Sequence, residues 1–218
     1  MPCQIPSNRP HLPSTALRAR PRRRFPPEVL SHDEVLALMD ACGAETVTGV
    51  RNRALLAVLY RAGLRITEAM ELRPKDLNLS QGMIRVLFAK GGKARTVGID
   101  AVAARIVCEW LTAREQWGAG GVADLTLRSP LFCTRSGRRL TGAYMRRLLP
   151  ELARKAGIAK RVHAHGFRHT HAAQLRSEGV DIGIISKQLG HTSITTTARY
   201  LDHIAPMAVV DALRNRTW

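Results

Sequence analysis

The sequence predicts a mainly α-helical domain carrying a small antiparallel β-sheet, an α+β arrangement, and three observations predict it. Apolar residues recur at helical spacing through most of residues 32–214, bounded by capping residues, glycine or proline. Two β-like runs, Met83–Phe88 and Arg95–Ile99, flank the paired glycines of Ala89-Lys90-Gly91-Gly92-Lys93, which mark a hairpin turn. No internal repeat of the kind that builds solenoids is present.

Residues 1–27 hold six arginines, seven of the eleven prolines and no acid. Such a segment buries too little apolar surface to fold alone and reads as a disordered basic tail or linker. Ser31-His-Asp-Glu34 is a capping box opening an amphipathic helix through Val35, Leu36, Leu38 and Met39. Residues 51–62 form a second, largely buried helix; Gly63-Leu64 breaks it, and a third runs from Arg65 to Leu72, closed by Pro74. After the hairpin, residues 101–117 return to helix, Gly118–Gly121 is a loop, and Leu131-Phe132 reads as one more short strand. Helices follow at about 141–156, 166–178, 181–189, 194–201 and 205–214, the last with a Met207, Val210, Leu213 stripe. The domain therefore spans residues 28–218.

The net charge is +17, and the tail holds six of those charges, which leaves +11 on residues 28–218. That excess implies a polyanionic partner, nucleic acid or an anionic membrane. The longest strongly apolar run, Ala54–Tyr60, is far short of a spanning helix, and no apolar signal core follows the N-terminal charges. A cytoplasmic protein with no membrane role is the expectation. Cys3, Cys42, Cys108 and Cys133 are scattered, with no C-x-x-C pair, and read as reduced thiols.

The chemistry-bearing residues concentrate in 163–203. His165 and Arg168 are three apart and share one helix face, where Arg168 offers a planar fork suited to two phosphate oxygens. His191 follows Leu189-Gly190, a helix-ending glycine that sets it in a turn. Tyr200 comes nine residues later, beyond Ser193, a candidate N-cap. Nine residues of continuous helix span about 13 Å, so His191 and Tyr200 serve one phosphate only if the chain bends between them or Tyr200 acts in a neighbouring subunit. The bend is favoured, because Ser193 looks like a helix start. Upstream, Ala62-Gly63-Leu64-Arg65 puts Arg65 where a glycine turn ends one helix and the next begins, a position that favours anions, with Glu68 one turn on. The hairpin segment presents Lys90, Lys93 and Arg95; spacing alone does not choose between the two lysines.

H-G-F-R, then L-G-H-T-S-I-T-T-T and Tyr200, with A-G-L-R-I-T-E and K-G-G-K-A-R upstream, resemble the signature of the tyrosine recombinase (phage integrase) family over about residues 28–204. The resemblance implies the fold of DNA breaking–rejoining enzymes and a site-specific recombinase acting on double-stranded DNA through a 3′-phosphotyrosine. It implies Arg65 and Arg168 as a phosphate clamp, His191 as a further donor, His165 as base, Lys90 as the acid for the leaving oxygen and Tyr200 as nucleophile. Lys93 and Arg95 are implied as DNA-backbone contacts. No metal or other cofactor is implied, and the partner of the chain would be another copy, as a tetramer on paired sites. Family members usually carry a helical core-binding domain ahead of the catalytic one, whereas here a 27-residue tail precedes residue 28. Small fimbrial-type invertases are similar to this layout, and a fragment of a longer integrase looks the same. Two rivals have residue support. His163, His165, His169, His171, His191 and His203 form a His-rich patch in which His165 and His169 have a metal-capable i, i+4 spacing, although no H-E-x-x-H or Cys/His set accompanies it. A DNA-binding fragment or decayed recombinase, inactive alone, is the other.

Overall fold

The computed structural model describes residues 28–87, 94–117, 125–205, 210 and 213–214. The tail, the hairpin tip with Lys90 and Lys93, the Gly118–Gly121 loop and most of the expected 205–214 helix lie outside the described residues.

Helix α1 (His32–Asp40) starts on the predicted capping box: Ser31 Oγ accepts from the Glu34 amide and the Glu34 carboxylate accepts from the Ser31 amide. Helix α2 (Val47–Arg61) begins four residues before the predicted start, because Thr46 caps it through the Gly49 amide. It is apolar nearly all round, with Ala54–Tyr60 at most 3% exposed, so it must sit at the centre. Helices α4 (Ala101–Trp117) and α6 (Ala164–Ser177) pack on it. Between α2 and α4 along the chain come α3 (Ile66–Glu71) and a sheet of β1 (Leu77–Asn78), β2 (Met83–Val86) and β3 (Arg95–Gly98), antiparallel in the order β1-β2-β3. Ile84 pairs with Val97 in the hairpin register and both face the core.

The first strand was not predicted; two residues carry too little periodicity to read. Conversely, Leu131-Phe132 is not a strand. Both side chains are fully buried, but their backbone bonds go to Leu72, Trp110 and Leu140 rather than to a ladder, and only a bridge between Cys133 and Arg139 forms nearby.

The described chain continues through α5 (Gly142–Lys155), α6, α7 (Ile182–Leu189) and α8 (Ile194–Ile204). Here α6 serves two cores. Phe167 belongs to the main one, while Ala172 joins Ile185, Leu189, Leu201 and Ile204 in a smaller cluster that holds α7 and α8. The mainly helical architecture with a small antiparallel sheet is as the sequence predicts. No helix among the described residues is long and apolar enough to cross a membrane.

Candidate active site

Three helix starts and one helix end converge. At the first, Gly63 turns with φ of 62°, a backbone that L side chains rarely adopt, and a Cβ there would stand 2.3 Å from the His171 ring. The turn aims the Gly63 carbonyl at Arg168, whose Nη1 donates to it at 2.7 Å. It also sets Arg65 as the N-cap of α3, with its amide donating to Glu68 at 2.9 Å. One glycine thus shapes both arginine positions.

Glu68, 1% exposed, is the only acid hydrogen-bonded in this group among the described residues: Arg65 Nη1 donates to Oε1, while Arg95 Nη1 and Nη2 donate to Oε1 and Oε2, all at 2.9 Å. Burial alone would raise the carboxyl, yet Arg95 and Arg65 hold it down at about 2. The pair is therefore no surface ion bridge of a few tenths of a kcal/mol. Arg95, expected as a DNA-backbone contact, is paired within the protein. Both its terminal nitrogens are committed to Glu68, and its side chain is 13% exposed.

Arg168 lies in the first half of α6, 1% exposed, donating to the Gly63 and Leu189 carbonyls and to His191 Nε2 at 3.3 Å. Burial and the neighbouring Arg65 lower its pKa to about 10, so it remains charged at neutral pH. Because arginine only donates, His191 Nε2 accepts, and the ring proton sits on Nδ1, facing Thr197 Oγ1 at 2.9 Å. Burial, then Arg168 and Arg65, depress His191 to about 4.

Gly190 caps α7 in the left-handed region with φ of 64°, and Ser193 caps α8 through the Thr195 amide. The bend between His191 and Tyr200 is therefore real: their ring centroids are 5.4 Å apart, edge to face. Tyr200 also stacks on His169 at 5.2 Å, and His169 meets His165 edge-on at 4.5 Å. The Tyr200 hydroxyl is buried with no hydrogen-bond partner among the described residues. Burial pushes it up to about 12 against the pull of Arg168 and Arg65. His165 is lowered by burial, then by Arg168, which favours its neutral form.

The structure thus brings Arg65, Arg168, His191 and Tyr200 into one group, joined to His165 through His169; Lys90 and Lys93 are outside the described residues. Two members were not predicted for this site. His169 was visible only as the i+4 partner of His165 and was weighed as a metal ligand; among the described residues no three His, Cys, Asp or Glu side chains gather as a metal-holding group. Thr197 had no signal beyond the threonine run.

Comparison with known proteins identifies the family. The phage integrase family model matches residues 28–205. Tyrosine recombinase XerC of Syntrophus aciditrophicus is 33% identical over 188 residues, covering 86% of this chain and 60% of the relative. Tyrosine recombinase XerD of Bifidobacterium longum is 32% identical over 202 residues, covering 91% and 65%. The chain therefore spans about 60% of the length of such curated relatives. Among solved structures, XerA recombinase superposes with a TM-score of 0.74 at 28% identity, covering 89% of this chain and 68% of that one. XerH site-specific recombinase, in a post-cleavage complex with a palindromic difH substrate, gives 0.71 at 27%, covering 88% and 54%. The matched span contains every element that builds the arginine–histidine–tyrosine group, and the chain belongs to the phage integrase family.

Proposed function

We propose that this chain is the catalytic part of a site-specific DNA recombinase that cleaves and rejoins strands through a 3′-phosphotyrosine. The observation that carries the reading is the charge balance around Tyr200. Arg65 and Arg95 share the one carboxylate, Glu68, and Arg168 lies near them without a carboxylate of its own, which leaves a positive excess suited to a phosphodiester.

In this scheme Arg65 and Arg168 clamp the non-bridging oxygens. A phosphate taking Arg168 Nη2 frees His191 Nε2; transfer of the ring proton to Nε2, with Thr197 Oγ–H donating to Nδ1, lets His191 donate to the phosphate. Tyr200 Oη attacks phosphorus as its proton passes to neutral His165. The bond from phosphorus to the 5′-oxygen breaks, and Lys90 protonates that oxygen. A 5′-hydroxyl of another strand reverses the step. Double-stranded DNA is the partner, and a tetramer on paired sites is the assembly; Val210 and Leu213, 41% and 59% exposed, are apolar surface for a neighbouring copy.

The test is covalent capture. Wild type and Tyr200→Phe are incubated with a nicked duplex of randomised core, and adducts are resolved on a denaturing gel and sequenced to recover the site. Wild type forms an adduct whose peptide maps to Tyr200, and the Phe variant forms none. An adduct at Tyr144, whose hydroxyl is held by Arg51 and Asn52, or at Tyr60 overturns the assignment. Because the chain spans about 60% of its relatives' length, the second reading is a DNA-binding part that is inactive alone. It predicts duplex binding without adduct from either form.

A further inference from the structure

We propose that Arg95 is a positioning residue for the cleavage reaction, one that holds Arg65 and the His191 turn in place from inside the protein and does not contact the DNA backbone. The inference rests on the recombinase reading above.

Arg95 opens β3, 27 residues from Glu68, and meets it fork to fork through two parallel bonds of 2.9 Å. The same carboxylate accepts the Arg65 side chain and amide, so all four bonds to Glu68 come from two residues. Without Arg95, half of those bonds vanish, and the Glu68 side chain, with the Arg65 fork it orients, regains freedom. The second contact is at the other side of the site. The Arg95 guanidinium lies against Gly190, where a Cβ would stand 2.7 Å from Nε, and Nε points at the Gln188 carbonyl at 3.5 Å. Gly190 is the residue before His191, and only a glycine there leaves room for this stem. Gln188 in turn ties the end of α7 to β3, its amide oxygen accepting from the Gly98 N–H and its amide nitrogen donating to the Gly98 carbonyl, both at 2.9 Å. One planar group therefore spans the α3 start and the α7 end, the two places from which Arg65 and His191 are aimed. A flexible lysine cannot bridge both oxygens of Glu68 in that way.

Two measurements separate this role from a phosphate contact. Binding to a 30-bp random-sequence duplex is titrated against salt for wild type, Arg95→Ala and Arg95→Lys. A lost phosphate contact lowers the slope of log affinity against log salt by about 0.9; the positioning role leaves the slope of both variants at the wild-type value. Single-turnover adduct formation is then measured on the nicked site recovered by wild type. Arg95→Ala slows it about 10- to 100-fold, the scale of a misplaced group near the reacting atoms, and Arg95→Lys falls in between. In an Arg65→Lys background the Arg95→Ala effect shrinks to less than about 3-fold, because the residue it positions is already altered.

A salt slope reduced by about 1, an unchanged adduct rate, or an undiminished effect in the Arg65→Lys background each overturns the proposal. If Arg95→Ala shows no cooperative thermal unfolding, Arg95→Lys carries the same three readouts. Absence of adduct from wild type overturns the recombinase reading, and the positioning role with it, whereas a slope change in the variants speaks against Arg95 alone.

Discussion

Arg51 and Arg168 are both buried, at 3% and 1% exposure, both donate to backbone carbonyls, and neither pairs with a carboxylate among the described residues. Their surroundings separate them. Arg51 spends its remaining donors on Asn52 Oδ1 and on the Tyr144 hydroxyl at 2.6 Å, under a Tyr144 ring whose centroid is 5.1 Å from its guanidinium. It ties α2 to α5 and to the Cys133 segment with neutral acceptors, a closed network. Arg168 donates to His191 as well, but burial and the charges of Arg65 and Arg95 act against its own charge. Burial of an arginine therefore does not mark function. What sets Arg168 apart is the positive charge gathered around it, a cost in stability that an anionic ligand would offset.

The largest effects should break that comparison cleanly. Arg168→Ala should slow adduct formation by about 10²- to 10³-fold, as for loss of a transition-state donor, with a smaller fall in the urea midpoint than Arg51→Ala, because the lost bonds are offset by relief from the charges of Arg65 and Arg95. Arg51→Ala should instead cost about 3 kcal/mol in urea unfolding, leaving Asn52, Tyr144 and the Cys133 carbonyl without their donor, while the adduct rate per folded molecule is retained. Equal stability losses from the two would erase the distinction.

Acid should act next. His169, His171 and His191 are each held at about 4, chiefly by burial, against an ordinary value of 6.5. The unfolded chain then binds more protons than the folded one between those values, so their contribution is complete above pH 6.5 and is lost as pH falls towards about 4. The urea midpoint should fall across that window, and His171→Gln should flatten part of the slope. Glu68, held at about 2, keeps its charge throughout, so the arginine tether outlasts the histidines. A midpoint that does not change with pH would contradict the burial of these rings.

A smaller effect sharpens the role of His169. Removing its ring in His169→Ala should cost the stacking energy, about 0.5–1.5 kcal/mol, and slow the adduct about 10-fold by loosening Tyr200. The smallest is Ser31→Ala. It should cost about 1 kcal/mol through the α1 cap and leave the adduct rate alone, since α1 lies outside the site.

Whatever depends on short-range geometry is legible in the order of the residues. Gly63 before Arg65, Gly190 before His191 and Ser193 before Tyr200 are local turns and caps. Each is fixed by a few neighbouring residues, and each stands in the structure as read. The same reasoning found the core helices, because a buried stripe repeats along its own chain. Packing of distant segments pairs Arg95 with Glu68, brings Thr197 to His191 Nδ1 and stacks His169 on Tyr200. It also buries Leu131-Phe132 without a ladder. An arginine after a hairpin is written the same way whether it meets a phosphate or an internal carboxylate. Which it meets depends on where a second, distant segment is carried by the packing of α2, α6 and the sheet, and local periodicity holds no record of that distance.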